Sequence, residues 1–328
     1  MAVTHGGNIF SVAAREGVAW QQVLDFSASI NPLGPSPAAR EAILAAVDRI
    51  AHYPERTALA LRERLAAEWG VGPEQVIAGN GATELLFDWC RYFGTGTIAA
   101  PAFGEFHRAW PEARICLLAE PETWPADGPL VLTRPANPTG TLLDCEVVLR
   151  YARGRSAAVL VDESFLDFCE AESLTSRAGG NLYVLRSLTK FWALPGLRIG
   201  ALAGDVSALA TLRPPWSVNA LAEAAALASI DDRAHAARTR AFVRSEAGWL
   251  AKELGQLPGL RVWPPVANYL YVETARAAEL TAFAAKRRVL LRDCSEWPGF
   301  EGAAVRVAVR KRWENEILIR VCGECLCA

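Results

Sequence analysis

The sequence predicts an α/β protein with a large domain on a mostly parallel sheet and a smaller α+β domain behind it. Two observations carry this. Through the middle of the chain, short apolar runs bounded by turn residues alternate with amphipathic stretches, the pattern of strands covered by helices on both faces. After residue 216 the rhythm changes to a long Ala-rich helical stretch followed by shorter strands and helices. With 328 residues, 52% of them hydrophobic, the chain is long enough for one large or two modest cores.

Residues 1–35 carry "HGGN" and "NPLGPSP" and read as an extended arm punctuated by Gly and Pro. The large domain is expected over 36–215. Its strands read as "VIAG" from Val76, "TIAAP" from Thr97, "LVLTRP" from Leu130, "AAVLVD" from Ala157 and "NLYVLRS" from Asn181. Between the first two, "ATELLFDWCRYF" has the spacing of an amphipathic helix. The Pro-rich "RPPWS" marks the boundary. The small domain, 216–328, begins with helix to about Leu254. It continues through "NYLYVE", a helix near "ELTAFAAKRR", the strands "VLLRDC" and "AAVRVAVR", and a last helix from Trp313.

Lys and Arg number 34 against 36 Asp and Glu, a formal charge of -2, so no global attraction to nucleic acid or anionic membrane is expected. A small, locally charged ligand fits better. The start, "MAVTHGGNIF", lacks a basic segment followed by an apolar run, and no apolar stretch reaches the roughly 18 residues of a membrane span. A cytoplasmic protein is the expectation. Of the eight cysteines, Cys90, Cys116, Cys145, Cys169 and Cys294 are scattered through apolar segments as small core residues. Cys322, Cys325 and Cys327 crowd the tail "CGECLCA", but a closed structural metal site usually takes four ligands and no local histidine supplies one. The tail reads as frayed and reduced, and no metal is assigned.

In parallel sheets, ligands collect at the carboxyl ends of strands, so the residues following each strand are the candidates for chemistry. After "VIAG" comes "NGATE", where Gly81, Ala82 and Thr83 open a helix with free N–H groups suited to a phosphate, although a plain helix cap explains it equally. Phe103 in "PAFGEF" is either a lid over a flat ring or a core aromatic. Asn137-Pro138 makes a rigid turn that aims an amide. Asp162 ends an apolar strand, which is costly without a partner. Then comes "RSLTKFWALPGLR", with Ser187, Thr189, Lys190 and, eight positions on, Arg198.

Taken in order, these motifs resemble the active site of fold-type I pyridoxal-phosphate enzymes. The resemblance implies that Lys190 bonds the cofactor aldehyde, that Asp162 pairs with the pyridine nitrogen, that Asn137 bonds the ring hydroxyl and that Phe103 stacks on the ring. Gly81, Ala82, Thr83, Ser187, Thr189 and Arg198 would hold the cofactor phosphate. Tyr53 in "HYPER" matches the tyrosine that members send to a neighbouring subunit's phosphate, which implies a homodimer with composite sites. Many aminotransferases of this type have a tyrosine three residues after the aspartate; here it is Phe165.

Within that superfamily, "HGGNI", "DFSASINPLG", "YPER", "PPWSVNALA", "ANYLYV" and "VRVAVR" resemble the L-threonine-O-3-phosphate decarboxylase family of cobalamin biosynthesis, which is related to histidinol-phosphate aminotransferases. By that likeness Arg306 would clamp the substrate carboxylate, while Arg292, His5, Ser29 and Asn31 would face its phosphate. The strand-end arginines also read as exposed charges, His5 as a solvent-facing arm residue, and Arg310 as either a helper cation or a surface charge. Ser29 stands where relatives often have asparagine, and Trp192 where tyrosine is usual. Two other functions stay open: a histidinol-phosphate aminotransferase, which would remove the α-proton instead, and a non-catalytic binding module on the same fold.

Overall fold

The computed structural model describes residues 6–295, 297 and 302–327. The arm forms helix α1 (Ile9–Glu16) and strand β1 (Leu24–Asp25), and then runs to α2 (Pro37–Ala45). Ser36 caps α2 by accepting from the Ala39 amide, with Pro37 in the first turn where its missing N–H costs nothing. Helix α3 (Leu59–Trp69) leads into β2 (Val76–Gly79), α4 (Ala82–Phe93), β3 (Thr97–Ala100), α5 (Gly104–Ala109), β4 (Arg114–Leu117) and β5 (Leu130–Thr133). Next come α6 (Cys145–Arg153), β6 (Val159–Asp162), β7 (Leu182–Ser187), β8 (Gly200–Ala203) and α7 (Ser207–Leu212).

The large sheet has seven strands in the order β2-β8-β7-β6-β5-β3-β4. Only β8 runs antiparallel to its neighbours. All five strands expected in this region are present. Two were missed: β4, whose side chains are largely exposed at the sheet edge, and β8, whose "GALA" carries no β-branched residue. Packing explains β8. A Cβ on Gly200 would lie 2.4 Å from the Ala82 amide nitrogen, so the strand is built of small residues where the start of α4 presses on it.

Alternation along the strands sends Val131, Leu160 and Leu185 to one apolar cluster with α4, and Leu132, Val161 and Val184 to another on the opposite face. Trp89 of α4 is fully buried and meets Phe93, Trp110 and Tyr183 edge-on or tilted. Trp89→Ala is expected to cost about 3–5 kcal/mol, measurable as a lowered urea midpoint.

The Ala-rich stretch is two helices, α8 (Ala220–Asp231) and α9 (Arg233–Leu254), not one. Asp232 breaks it by capping α9, its carboxylate accepting from the His235 amide. Helix α8 packs on α2, and Val218 through Val243 contribute to the large-sheet core. A second core starts at Ala247. It is closed by β9 (Arg261–Val262), β10 (Tyr269–Glu273), α10 (Ala277–Ala285), β11 (Val289–Leu290), β12 (Arg292–Asp293), β13 (Ala304–Ala308) and α11 (Arg312–Leu326). Four of these strands form the sheet β12-β13-β10-β9, while β11 pairs in parallel with β1. The arm is thereby stitched to the smaller unit, and the amide of Asn31 continues across to the Lys190 carbonyl at 3.0 Å.

The cysteine tail is not frayed: α11 carries Cys322 and Cys325 into the second core, where burial pushes the Cys322 thiol up to about 12. Among the described residues no group of three or more potential metal ligands lies together, and no helix is long and apolar enough to cross a membrane.

Candidate active site

Where β5, β6 and β7 end, a cavity of about 260 Å³ opens between the arm, the large sheet and β13. Lys190, three residues beyond β7, lines it and donates from Nζ to Ser187 Oγ at 2.9 Å. Protein crowding pulls the amine down to about 8 from its ordinary 10.5; Asp162 opposes that shift, and Arg198 and Arg306 add to it. Ser187 Oγ in turn lies 2.7 Å from Thr189 Oγ1, so both hydroxyls are tied into the lysine turn.

Asp162 faces the same cavity from the end of β6, and one oxygen accepts the Ser164 amide at 2.9 Å. Burial pushes its carboxyl up; the Ser164 contacts, Lys190 and Arg186 pull the other way. An acid and an amine thus share one enclosed space. The turn expected to hold an anion opens on the same cavity: Gly81, at φ +84°, precedes α4, and Ala82 and Thr83 line the cavity. A Cβ on Gly81 would sit 2.6 Å from Arg198 Nη2, so glycine serves both the turn and the close approach of the guanidinium. Arg198 stands at the rim, and Phe103 lines the cavity.

Arg306 enters from β13, buried, with Nη1 donating to Asn137 Oδ1 at 2.5 Å and Nη2 to the Ser27 carbonyl at 2.5 Å. Its Nε has no partner among the described residues. The same holds for two buried cavity hydroxyls, Ser29 Oγ and Thr133 Oγ1. Thr133 was not singled out from sequence, although its place at the end of "LVLT" was the available signal. Unpartnered buried donors in a polar cavity call for a ligand with acceptor groups.

Several expected site residues stand elsewhere. Asn31 does not face the cavity: its amide donates to the Phe191 carbonyl at 2.8 Å and to Thr239 Oγ1 at 2.9 Å, which pins the arm to the core. Arg310 bonds Glu314 and the Asp25 carbonyl, which settles it as structural. Tyr53 is exposed and stacks on Trp216 with ring centroids 4.7 Å apart, away from this chain's cavity. Arg292 does not line the cavity but is register-paired with Arg306 on the neighbouring strand, its guanidinium 5.0 Å from the Trp297 ring. Burial first, and the charge of Arg306 second, pull the Arg292 guanidinium below its ordinary value. His5 lies outside the described residues.

The family model for "Aminotransferase class I and II" matches residues 21–319, and the chain belongs to that family. It is 35% identical to a threonine-phosphate decarboxylase of Salmonella typhimurium, over 96% of this chain and 94% of the relative. It is 30% identical to a histidinol-phosphate aminotransferase of Methanothermobacter thermautotrophicus, over 97% and 93%. Among solved structures, the histidinol-phosphate aminotransferase of Sinorhizobium meliloti in complex with pyridoxal-5'-phosphate superposes with a TM-score of 0.84 at 18% identity, covering 99% of this chain and 95% of that one. The protein is a pyridoxal-phosphate-dependent enzyme, and the residues present fit that cofactor: an amine, a facing carboxylate, a helix N-terminus with an arginine, and unfilled hydroxyls.

The cup tolerates little intrusion. Gly200→Ala is expected to force the start of α4 away from the sheet, weakening pyridoxal-phosphate binding and costing about 1–3 kcal/mol of stability, checked by cofactor titration and urea unfolding.

Proposed function

We propose that this enzyme decarboxylates L-threonine O-3-phosphate to (R)-1-amino-2-propanol O-2-phosphate, the linker of the corrinoid nucleotide loop, in the cytoplasm. The observation that carries the reading is Arg306, which lines the Lys190–Asp162 cavity with an Nε unpartnered among the described residues, together with a second cation, Arg292, register-paired with it on the neighbouring strand outside the cavity lining. One cation suits a carboxylate, and a second suits a phosphate on the same small substrate. The 35% identity to a threonine-phosphate decarboxylase supports it.

When bound, the cofactor supplies an aldehyde that amines capture and a ring that takes up the electron pair of a bond broken at the substrate α-carbon. The protein's residues do the rest. Gly81, Ala82, Thr83 and Arg198 would hold the cofactor phosphate, with Ser187 and Thr189 beside them in the lysine turn. Asp162 would stabilise positive charge on the ring nitrogen, Phe103 would pack against the ring, and Asn137 would bond the ring hydroxyl. Arg306 would grip the substrate carboxylate, while Ser29, with Arg292 on the strand next to Arg306, would turn the phosphate. Held at both ends, the substrate presents its Cα–carboxylate bond for cleavage. Carbon dioxide leaves, and Lys190, whose amine is pulled down to about 8, returns a proton to the α-carbon.

We also propose a homodimer in which Tyr53 reaches the partner's cofactor phosphate. The exposed Tyr53, Trp216, Ile50, Val47 and Leu44 support this. Sedimentation of the purified protein tests it.

The deciding assay incubates the enzyme and pyridoxal phosphate with threonine phosphate or histidinol phosphate, and follows carbon dioxide and the pyridoxamine form. Carbon dioxide from the first substrate alone is the expected result. A 2-oxoglutarate-dependent cycle on histidinol phosphate would instead establish the aminotransferase, to which the 30% identity of that relative lends weight. An unchanged biological role in cells for Lys190→Ala would instead favour the non-catalytic binding module.

A further inference from the structure

Thr133, Asp162 and Leu185 are register neighbours on β5, β6 and β7, and all three face the cavity. The residue after each, just past the ends of β5 and β6 and still within β7, continues the ladder through the Arg134 and Glu163 amides and falls on the opposite face. Those residues are Arg134, Glu163 and Arg186, and all three are buried. Glu163 is fully buried; one carboxylate oxygen accepts Arg134 Nη1 at 3.2 Å and the Leu174 amide at 3.0 Å, the other Arg186 Nη1 at 3.3 Å and Ser173 Oγ at 2.5 Å. The far side of each arginine is also held. Arg134 donates to the Leu143 and Glu172 carbonyls, each at 2.7 Å, and Arg186 Nη2 to Asp167 Oδ1 at 2.5 Å.

The row has consequences for the cavity. Arg134 lies three residues before Asn137, Glu163 directly follows Asp162, and Arg186 lies four residues before Lys190. A burial site for so many charges is expensive, and well-packed apolar residues would serve stability as well or better. We propose that the Arg134–Glu163–Arg186 row is a positioning device for the cofactor site, tying from behind the sheet the three strand ends that carry Asn137, Asp162 and Lys190. Arg186 also lends cationic support to the carboxylate in front of it, and is among the groups favouring the ionised form of Asp162. This inference deepens the cofactor reading and rests on it.

The test titrates the full-length protein with pyridoxal phosphate, read by equilibrium dialysis and visible absorption, with melting of the cofactor-free protein in parallel. Glu163→Gln keeps the shape and removes the charge. It is expected to weaken binding roughly tenfold or more, the usual consequence of losing a group that supports a ligand from behind, and to change the absorption bands. Glu163→Asp restores most of the loss. Because Glu163→Gln strands two buried cations, a second protein combines Arg134→Met, Glu163→Leu and Arg186→Met, removing the row as a unit. It is expected to fold and still to bind roughly tenfold more weakly. A folded variant of either kind that binds within about threefold of the parent, with unchanged absorption, overturns the proposal. Failure of the triple variant to fold also overturns it, by assigning the row to folding. The parent's absorption, compared with Lys190→Ala, tests the cofactor reading separately, so the two failures are distinguishable.

Discussion

Lys190→Ala is expected to abolish the absorption change that follows addition of pyridoxal phosphate and to lower turnover on the order of 10⁴-fold or more, because in the proposed mechanism one side chain supplies both the covalent attachment and the returning proton. In the parent, capture of the cofactor aldehyde should grow as pH rises through about 8, where the amine becomes unprotonated and able to attack a carbonyl, and the variant should lack that rise. A linked consequence appears in the cofactor-free protein. Folding disfavours the ammonium form, so the unfolded chain binds the extra proton between about 8 and 10.5 and stability rises with pH across that window. The variant lacks this rise and is more stable than its parent at pH 7. Comparing melting temperatures at pH 7 and above 10 checks the sign; a parent with a flat profile would mean the amine is not enclosed as described.

Asp162→Asn is expected to retain the cofactor, with turnover reduced by about 10²–10³-fold, because a neutral amide cannot stabilise positive charge on the ring nitrogen. Its second signature concerns Lys190. The carboxylate favours the ammonium form, so its loss drops the amine's titration midpoint below about 8. The pH dependence of Lys190 acylation in cofactor-free protein, followed by mass spectrometry, reads this directly. A midpoint that stays put or rises would show that the two groups do not sense each other.

Strand ends were the legible part of the site. Asp162, Lys190, Asn137 and the Gly81 turn stand out in sequence because each is a polar or conformationally special residue at the end of an apolar run, and they converge on one cavity. Asn31 was misread for the same reason in reverse: an amide in a Pro-rich arm looks available, but the fold spends it on Phe191 and Thr239. Thr133 escaped notice since a strand-end threonine is ordinary until burial leaves its hydroxyl without a partner. The break between α8 and α9 was hidden because Asp232 interrupts an otherwise continuous helical composition by a capping bond that only the backbone path displays.

The sequence by itself determined the alternation of strands and helices, and with it which residues end on the cavity side, since side-chain direction follows strand periodicity and needs no partner. Only the tertiary structure decided what those residues face. The approach of β13 that brings Arg306 to Asn137, the arm that carries Ser29 over the cavity, and the ion row behind Asp162 all join residues far apart in the chain. Such contacts arise from packing one unit against another, and local propensity carries no record of them.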